Sequence, residues 1–380
     1  MTGLATRRGL IAGAGAAAAL PAFARAAEPD DGPLPEDGYY EIIEPITPRL
    51  WLIRQAKPFH LQPIGNVTVI DQADGLVLVD SGGSPGSGRR IIRLIRSVSD
   101  KPVKAVILTH WHGDHPEGLP QILEAWPQAR TISTLGTKTA LASLKSPSAP
   151  FAPDAARNAA MLEQFKGMSP YARDQIAKAT TDLDREGWRK FERLFLYLTG
   201  DMDGTLMPIP KETFTERLDI ADALAPLEAR FLGRANTDGD AVVWLPKQRV
   251  LVSGDIVVSP VPYGFGSYPK DWIETLGKLK AYDFATLIPG HGKPQTDRVY
   301  LDRLIALLQE VRRQVAPLAA EGLAVKDVQA KVDLAAQSRL FTGGDTWRDR
   351  WFDQYWTRPI VASAYKEAKG EPIVQGFGGG

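Results

Sequence analysis

The chain has no cysteine, and that absence removes disulfides, thiolate metal ligands and cysteine nucleophiles together. Any metal bound here must be held by imidazole, carboxylate or amide. Charge of one sign is not in excess either: Lys+Arg and Asp+Glu both total 45. Nothing in that balance points to nucleic acid or to an anionic membrane surface as a partner. Histidine is scarce, with five residues in 380. The apolar run near the N-terminus ends by Phe23, short of the ~20 residues that a membrane span requires.

What is present begins with an export pattern. Thr6-Arg7-Arg8-Gly9-Leu10-Ile11 opens an Ala/Gly-rich stretch, and Ala24-Arg25-Ala26 supplies a small-x-small cleavage pattern. A twin arginine ahead of a mildly apolar core is the pattern of a Tat signal peptide. Residues 1–26 are therefore expected to be a signal, cleaved near Ala26, and the mature protein periplasmic. Arg7, Arg8 and Arg25 leave with it and no acid does, so 42 basic residues face 45 acidic ones afterwards. Residues 27–38 are Pro, Gly and acid without periodicity and read as a linker.

Three of the five histidines fall within Thr109-His110-Trp111-His112-Gly113-Asp114-His115. Directly before them, Val103–Leu108 reads as a buried strand. Histidines at i and i+2 in extended backbone point the same way, and Gly113 lets the chain turn so that Asp114 and His115 face a second point. Imidazole with carboxylate is the ligand set of zinc and similar divalent ions. Trp111, between two candidate ligands, reads as packing.

From Tyr39 short strands dominate. Val67–Ile70 and Leu76–Val79 form a hairpin through Asp74-Gly75, ending in Asp80. A helix around Ile91–Ile95 follows, then the strand that carries the histidines. A related layout returns later. Ala241–Leu245 and Val250–Val252 make a hairpin ending in Ser253-Gly254-Asp255, a helix covers Trp272–Leu279, and strand Thr286–Ile288 runs into Pro289-Gly290-His291. Two such units predict two β-layers face to face with helices outside, an α+β fold of αββα sandwich type.

Residues 136–212 read as a mostly helical insertion, with helices over Asp154–Phe165 and Tyr171–Leu198. Residues 301–380 read as a C-terminal helical extension, with helices over Leu301–Leu318 and Trp347–Lys369. The aromatic stripe Trp347, Trp351, Phe352, Tyr355 and Trp356 reads as core packing.

Four strand ends thus carry metal-accepting residues. His110 and His112 could hold one ion. Asp114, His115 and His291 could hold a second, with Asp255 bridging both. Here the chain resembles the metallo-β-lactamase-fold hydrolases, on His110-x-His112-x-Asp114-His115, Gly254-Asp255 and Gly290-His291-Gly292 in that order, over roughly Tyr39 to Tyr300 (domain 39–300). The resemblance implies a metallo-β-lactamase-like fold, a two-ion zinc site and hydrolysis of a carbonyl compound. Its Asp255 element is similar to that of glyoxalase II-type and lactonase-type members. One position departs. Gly233-Arg234-Ala235-Asn236-Thr237-Asp238-Gly239-Asp240 sets Asn236 where the family offers a third histidine. A neutral amide is a poorer zinc ligand and prefers harder ions such as manganese. Either the second group works alone, or the first is an oxygen-rich, weaker site; the intact His110 and His112 favour two ions.

The implied chemistry is a metal-bound hydroxide, available near neutral pH because the ion lowers the pKa of water to ~7. It would attack an ester, lactone, thioester or β-lactam of a small-molecule substrate. Asp114 is the candidate to handle the proton, and Asp80 the candidate to orient a ligand imidazole. Tyr263, Phe265, Tyr268 and His60 are candidates to touch substrate. Two other functions compete: an iron redox protein of the same fold, and a binding module whose metal site has decayed at Asn236. Elemental analysis separates iron from zinc, and tight metal binding without turnover would mark the binding module.

Overall fold

The computed structural model describes residues 41–56, 64–143, 155–201 and 209–373. The signal, the linker and His60 lie outside the described residues. Seven strands make the first sheet in chain order: β1 (Glu41–Thr47), β2 (Leu50–Gln55), β3 (Val67–Asp71), β4 (Leu76–Val79), β5 (Val103–Ile107), β6 (Arg130–Thr134) and β7 (Glu212–Phe214). The second sheet holds β8 (Arg217–Ile220), β9 (Leu227–Phe231), β10 (Ala241–Leu245), β11 (Val250–Val252) and β12 (Thr286–Ile288), in the order β12-β11-β10-β9-β8.

The two sheets pack face to face, and the strand sequences show why. In β4, Val77 and Val79 enter the core between the sheets, while Leu76 and Leu78 face the helical layer. In β11, Val250 and Val252 point inward and Leu251 points out. A strand covered on both faces needs apolar residues at every position, which explains these unbroken runs. Helices α1 (Pro85–Val98) and α2 (Leu119–Ala125) cover the first sheet, burying Ile91, Ile95 and Ile122. Ser84 caps α1 by accepting from Ser87 N at 3.0 Å. Helices α6 (Pro269–Lys280) and α7 (Val299–Ala320) cover the second. The αββα expectation holds.

The helical stretches differ in detail from the sequence reading. After α3 (Leu135–Ala142), α4 runs Ala155–Lys178, straight through Pro170, and α5 runs Asp182–Asp201. The expected break at 166–170 sits at 179–181 instead. Thr181 Oγ1 accepts from Asp184 N at 3.1 Å there and starts α5. Phe165 and Ile176 pack with Trp188 and Phe191 on either side of Pro170, and this packing outweighs the roughly 3 kcal/mol penalty of an interior proline.

The C-terminal region holds more helices than the reading expected: α8 (Val325–Lys331) and α9 (Ala335–Thr342) follow α7. Trp347–Lys369 is not one regular helix. α10 (Thr346–Trp351) and α11 (Arg358–Lys369) flank a π-helical turn over Phe352–Thr357. Pro359 has no N–H to return to the Tyr355 carbonyl, and Gly264 N donates to that oxygen at 2.8 Å. The irregular turn thereby ties the C-terminal extension to the loop after Asp255. Among the described residues no helix is long and apolar enough to cross a membrane.

Candidate metal centre

Four loops at one edge of the sandwich meet. His110, His112, Asp114 and His115 follow β5, Asn236 follows β9, Asp255 follows β11 and His291 follows β12. Asp114, His115, Asp255 and His291 each offer a ligand atom within 4.8 Å of the others, and so do His110, His112 and Asp255. Asp255 belongs to both groups. His110 Nε2 lies 3.0 Å from His112 Nδ1 and 3.6 Å from Asp255 Oδ2. In the other group, His115 Nε2 is 3.2 Å from Asp255 Oδ1 and 3.3 Å from His291 Nε2, and His291 Nε2 is 2.9 Å from Asp114 Oδ2. The four imidazoles and Asp255 are buried; the Asp114 side chain, 21% exposed, is where the cluster opens to solvent.

Local backbone places these groups. Gly254 takes φ +51, and a Cβ there would lie 2.7 Å from the Thr109 side chain. Only glycine fits both demands, and it turns the chain so that Asp255 faces inward. Asp80 sits behind His115: its Oδ2 is 2.8 Å from His115 Nδ1 and accepts from Thr109 Oγ1 at 2.8 Å. Its Oδ1 accepts from Thr109 N at 2.8 Å.

The charges divide the imidazoles. Burial holds His110 well below the usual histidine range, and it lowers His112 against the pull of Asp114 and Asp255. At His115 and His291 burial is overcome. Asp255 and Asp114 hold His115 well above the usual range, and Asp255 leads in raising His291 to about 9. Asp255 resists burial and stays well below the usual carboxylate range because His291, His115 and His110 surround it. Asp114 is lowered too, by His115 and His291.

The donor set fits divalent metal. Buried polar groups are normally satisfied, yet neither Asp255 oxygen accepts a well-directed hydrogen bond among the described residues. Asn236 Oδ1 and His291 Nδ1 are buried without a partner as well. Two protonated imidazoles with Nε2 atoms 3.3 Å apart repel each other. A cation shared with the carboxylates would replace the protons on those two Nε2 atoms and complete the unfilled Asp255 oxygens.

The remaining candidates scatter. The Tyr263 ring lies 5.2 Å from His291, and Phe265 lies 6.0 Å from Tyr263. Tyr268 lies instead under the Arg234 guanidinium at 4.2 Å. Asn236 reaches the cluster through Nδ2, which donates to the Asp255 carbonyl at 3.3 Å. Trp111 is buried in the core beneath α1 and α2, its ring 4.4 Å from His112.

Sequence reasoning missed Gly65 and Asn66. A Cβ on Gly65 would lie 2.3 Å from the His115 ring, and Gly65 N donates to the Asp114 carbonyl at 2.9 Å. Asn66 Nδ2 donates to the Pro289 and Gly292 carbonyls at 2.8 and 2.9 Å. This pair pins the loop of His115 to the loop of His291. The residues Ile64-Gly65-Asn66, directly ahead of β3, were the available signal. Glu117, which with Pro116 marks the approach to α2 in the sequence, is buried, and burial with the nearby Asp114 charge pushes its carboxyl well above the usual range.

Residues 62–291 match the family model described as the metallo-beta-lactamase superfamily. The chain belongs to that superfamily. Among its relatives is a linear primary-alkylsulfatase from a Pseudomonas species, 24% identical over 289 residues, which are 70% of this chain and 49% of that protein. A metallo-beta-lactamase type 2 from Bacteroides fragilis is 29% identical over 92 residues, 23% of this chain and 37% of that one. An atrochrysone carboxyl ACP thioesterase from Aspergillus chevalieri is 30% identical over 101 residues, 26% of this chain and 30% of that one. The chain thus spans about half the length, or less, of these relatives. A solved structure of a stereoselective inverting sec-alkylsulfatase from a Pseudomonas species matches the fold with a TM-score of 0.58 at 18% identity, covering 86% of this chain and 50% of that one. Sulfatase, thioesterase and β-lactamase are all hydrolases, on one metallo-β-lactamase fold.

Proposed function

We propose that this chain is an exported metal-dependent hydrolase that cleaves an ester-type bond in a small molecule. The observation that carries the reading is Asp255: one buried carboxylate, both oxygens lacking a well-directed hydrogen bond, shared by two ligand groups. His110, His112 and Asp255 would hold one ion, with Asn236 Oδ1 as a weak fourth donor. Asp114, His115, Asp255 and His291 would hold the other. A divalent ion, zinc or the harder manganese, supplies Lewis-acid polarisation and acidifies water in such a site. Asp80 keeps a proton on His115 Nδ1, so that His115 Nε2 is presented to the cluster. His115 and His291 keep Asp114 ionised, and its side chain is where the cluster opens to solvent, so Asp114 is the candidate to relay a proton during bond cleavage.

Among ester-type bonds, carbonyl esters, lactones, thioesters and β-lactams are the first reading. Sulfate esters are a second, favoured by the alkylsulfatase that aligns over 70% of this chain. Purified protein loaded with zinc or manganese is to be assayed on one substrate of each class. Turnover of at least one class is expected, and full metal occupancy with no turnover of any would overturn the reading. In the same preparations, Asn236→His is expected to tighten the first ion about tenfold in chelator competition, since imidazole replaces an amide. Unchanged affinity would place Asn236 outside the ligand set. Export is checked by fractionating cells after Arg7 and Arg8 are both changed to Lys. Retention in the cytoplasm is expected, and unaltered periplasmic recovery would refute the Tat assignment.

A further inference from the structure

The cluster is closed except at Asp114, so a substrate must approach on that side. Aromatic rings stand there. Tyr263 and Phe265, both half-buried, come from the loop after Asp255. Tyr263 meets His291 edge to face at 5.2 Å. Tyr355, also half-buried, comes from the π-helical turn of the C-terminal extension, and its ring lies 5.4 Å from Tyr263 and 5.2 Å from Phe265. Trp351 backs it at 5.1 Å. Tyr355 lies close enough to Asp114 for that negative charge, after burial, to hold its hydroxyl above the usual range.

Three rings that contact one another, each still partly open, form a ledge rather than a sealed core. Their mutual spacings of 5.2 to 6.0 Å are those of rings in tilted and edge-to-face contact, so the three make one continuous aromatic surface. The backbone holds the ledge rigid, because Gly264, between Tyr263 and Phe265, donates to the Tyr355 carbonyl at 2.8 Å. The charges that act most strongly on the cluster are those of its own carboxylates and imidazoles. The three ring faces offer apolar surface, which suits an apolar substrate body better than a strongly charged one.

We infer that Tyr263, Phe265 and Tyr355 form a binding ledge for a flat, uncharged, apolar portion of the substrate, and that Tyr355 of the C-terminal extension is a specificity-determining residue of the site. This rests on the hydrolase reading for what happens to the substrate, but not for whether the ledge binds it. The proposal assigns the C-terminal extension a part in recognition and not in scaffolding alone.

The test uses two neutral amides that resist hydrolysis: 2-naphthamide, a carbonyl on a flat apolar body, and acetamide, the carbonyl alone. Binding to the full chain in the presence of zinc is measured by calorimetry or saturation-transfer NMR. 2-Naphthamide is expected to bind at least about tenfold more tightly than acetamide, and Tyr355→Ala to weaken it roughly fivefold while Tyr355→Phe stays within about twofold. Phe265→Leu is measured alongside, with the same weakening expected, and it decides the matter if Tyr355→Ala does not fold. Equal binding of the two amides, or unchanged 2-naphthamide binding in folded Tyr355→Ala or Phe265→Leu, would overturn the ledge. Absent turnover with ledge binding intact would sink the hydrolase reading alone.

Discussion

The molecule builds nearly the same unit twice and uses the two copies differently. In each, a hairpin leads through a helix to a strand that pairs in parallel with the hairpin's second strand: β4 with β5, and β11 with β12. Asp80 N donates to the Ile107 carbonyl at 2.8 Å, and Ser253 N makes the matching bond to Ile288 at 2.9 Å. Asp80 therefore corresponds to Ser253, while Asp255 stands two residues further along, beyond the left-handed turn at Gly254. That offset decides the role. At the strand end a carboxylate is saturated by Thr109 and His115 and becomes a support. Two residues beyond it, a carboxylate reaches the imidazoles with both oxygens free of directed hydrogen bonds.

Exchanging carboxylate for amide at each position measures this asymmetry. Asp255→Asn should be the more severe, because both ligand groups lose a charge at once. Activity on whichever ester the protein cleaves is expected to fall on the order of 10³-fold or more, with bound metal dropping below that of the unaltered chain. Asp80→Asn should cost less, about 10- to 100-fold in metal affinity, and most at the group that contains His115, which Asp80 contacts directly, whereas it reaches His110 only through Thr109. Chelator competition in the two variants reads both effects; equal losses would erase the distinction between the copies.

A smaller effect is expected from pH in the metal-free protein. His291 is raised from 6.5 to about 9, so its protonated form stabilises the fold. That contribution is complete below pH 6.5 and is lost as pH rises through about 9. The melting temperature of metal-free protein should therefore decline across this window. In Asp255→Asn, where the principal source of the upward shift is gone, the decline should be shallower. A parallel decline in both proteins would show that Asp255 does not hold the proton on His291.

The duplicated layout was legible before any coordinates, because apolar runs ending in Asp, Gly and His mark strand ends whatever their partners. So were His110, His112, Asp114, His115, Asp255 and His291, whose residue types have few other reasons to gather there. The supporting pieces were not legible in the same way. Gly65 through its backbone and Asn66 through its side-chain amide bind backbone carbonyls, the farthest 226 positions away, and no local pattern encodes such a distance. The break at Pro170 was misplaced because tertiary packing against α5 outweighed local propensity. Tyr355 was read as core packing, and it does pack against the cluster that holds Trp188, Trp347 and Trp351; an aromatic stripe at helical spacing gives no sign of the π-helical turn that carries it.

The most direct test of the two-group account is anomalous diffraction at the zinc edge from crystals grown with zinc. Two peaks are expected, one among His110, His112 and Asp255 and one among Asp114, His115, Asp255 and His291, with Asp255 touching both. Peaks that leave Asp255 uncoordinated, or no peak at this edge of the sandwich, would contradict it.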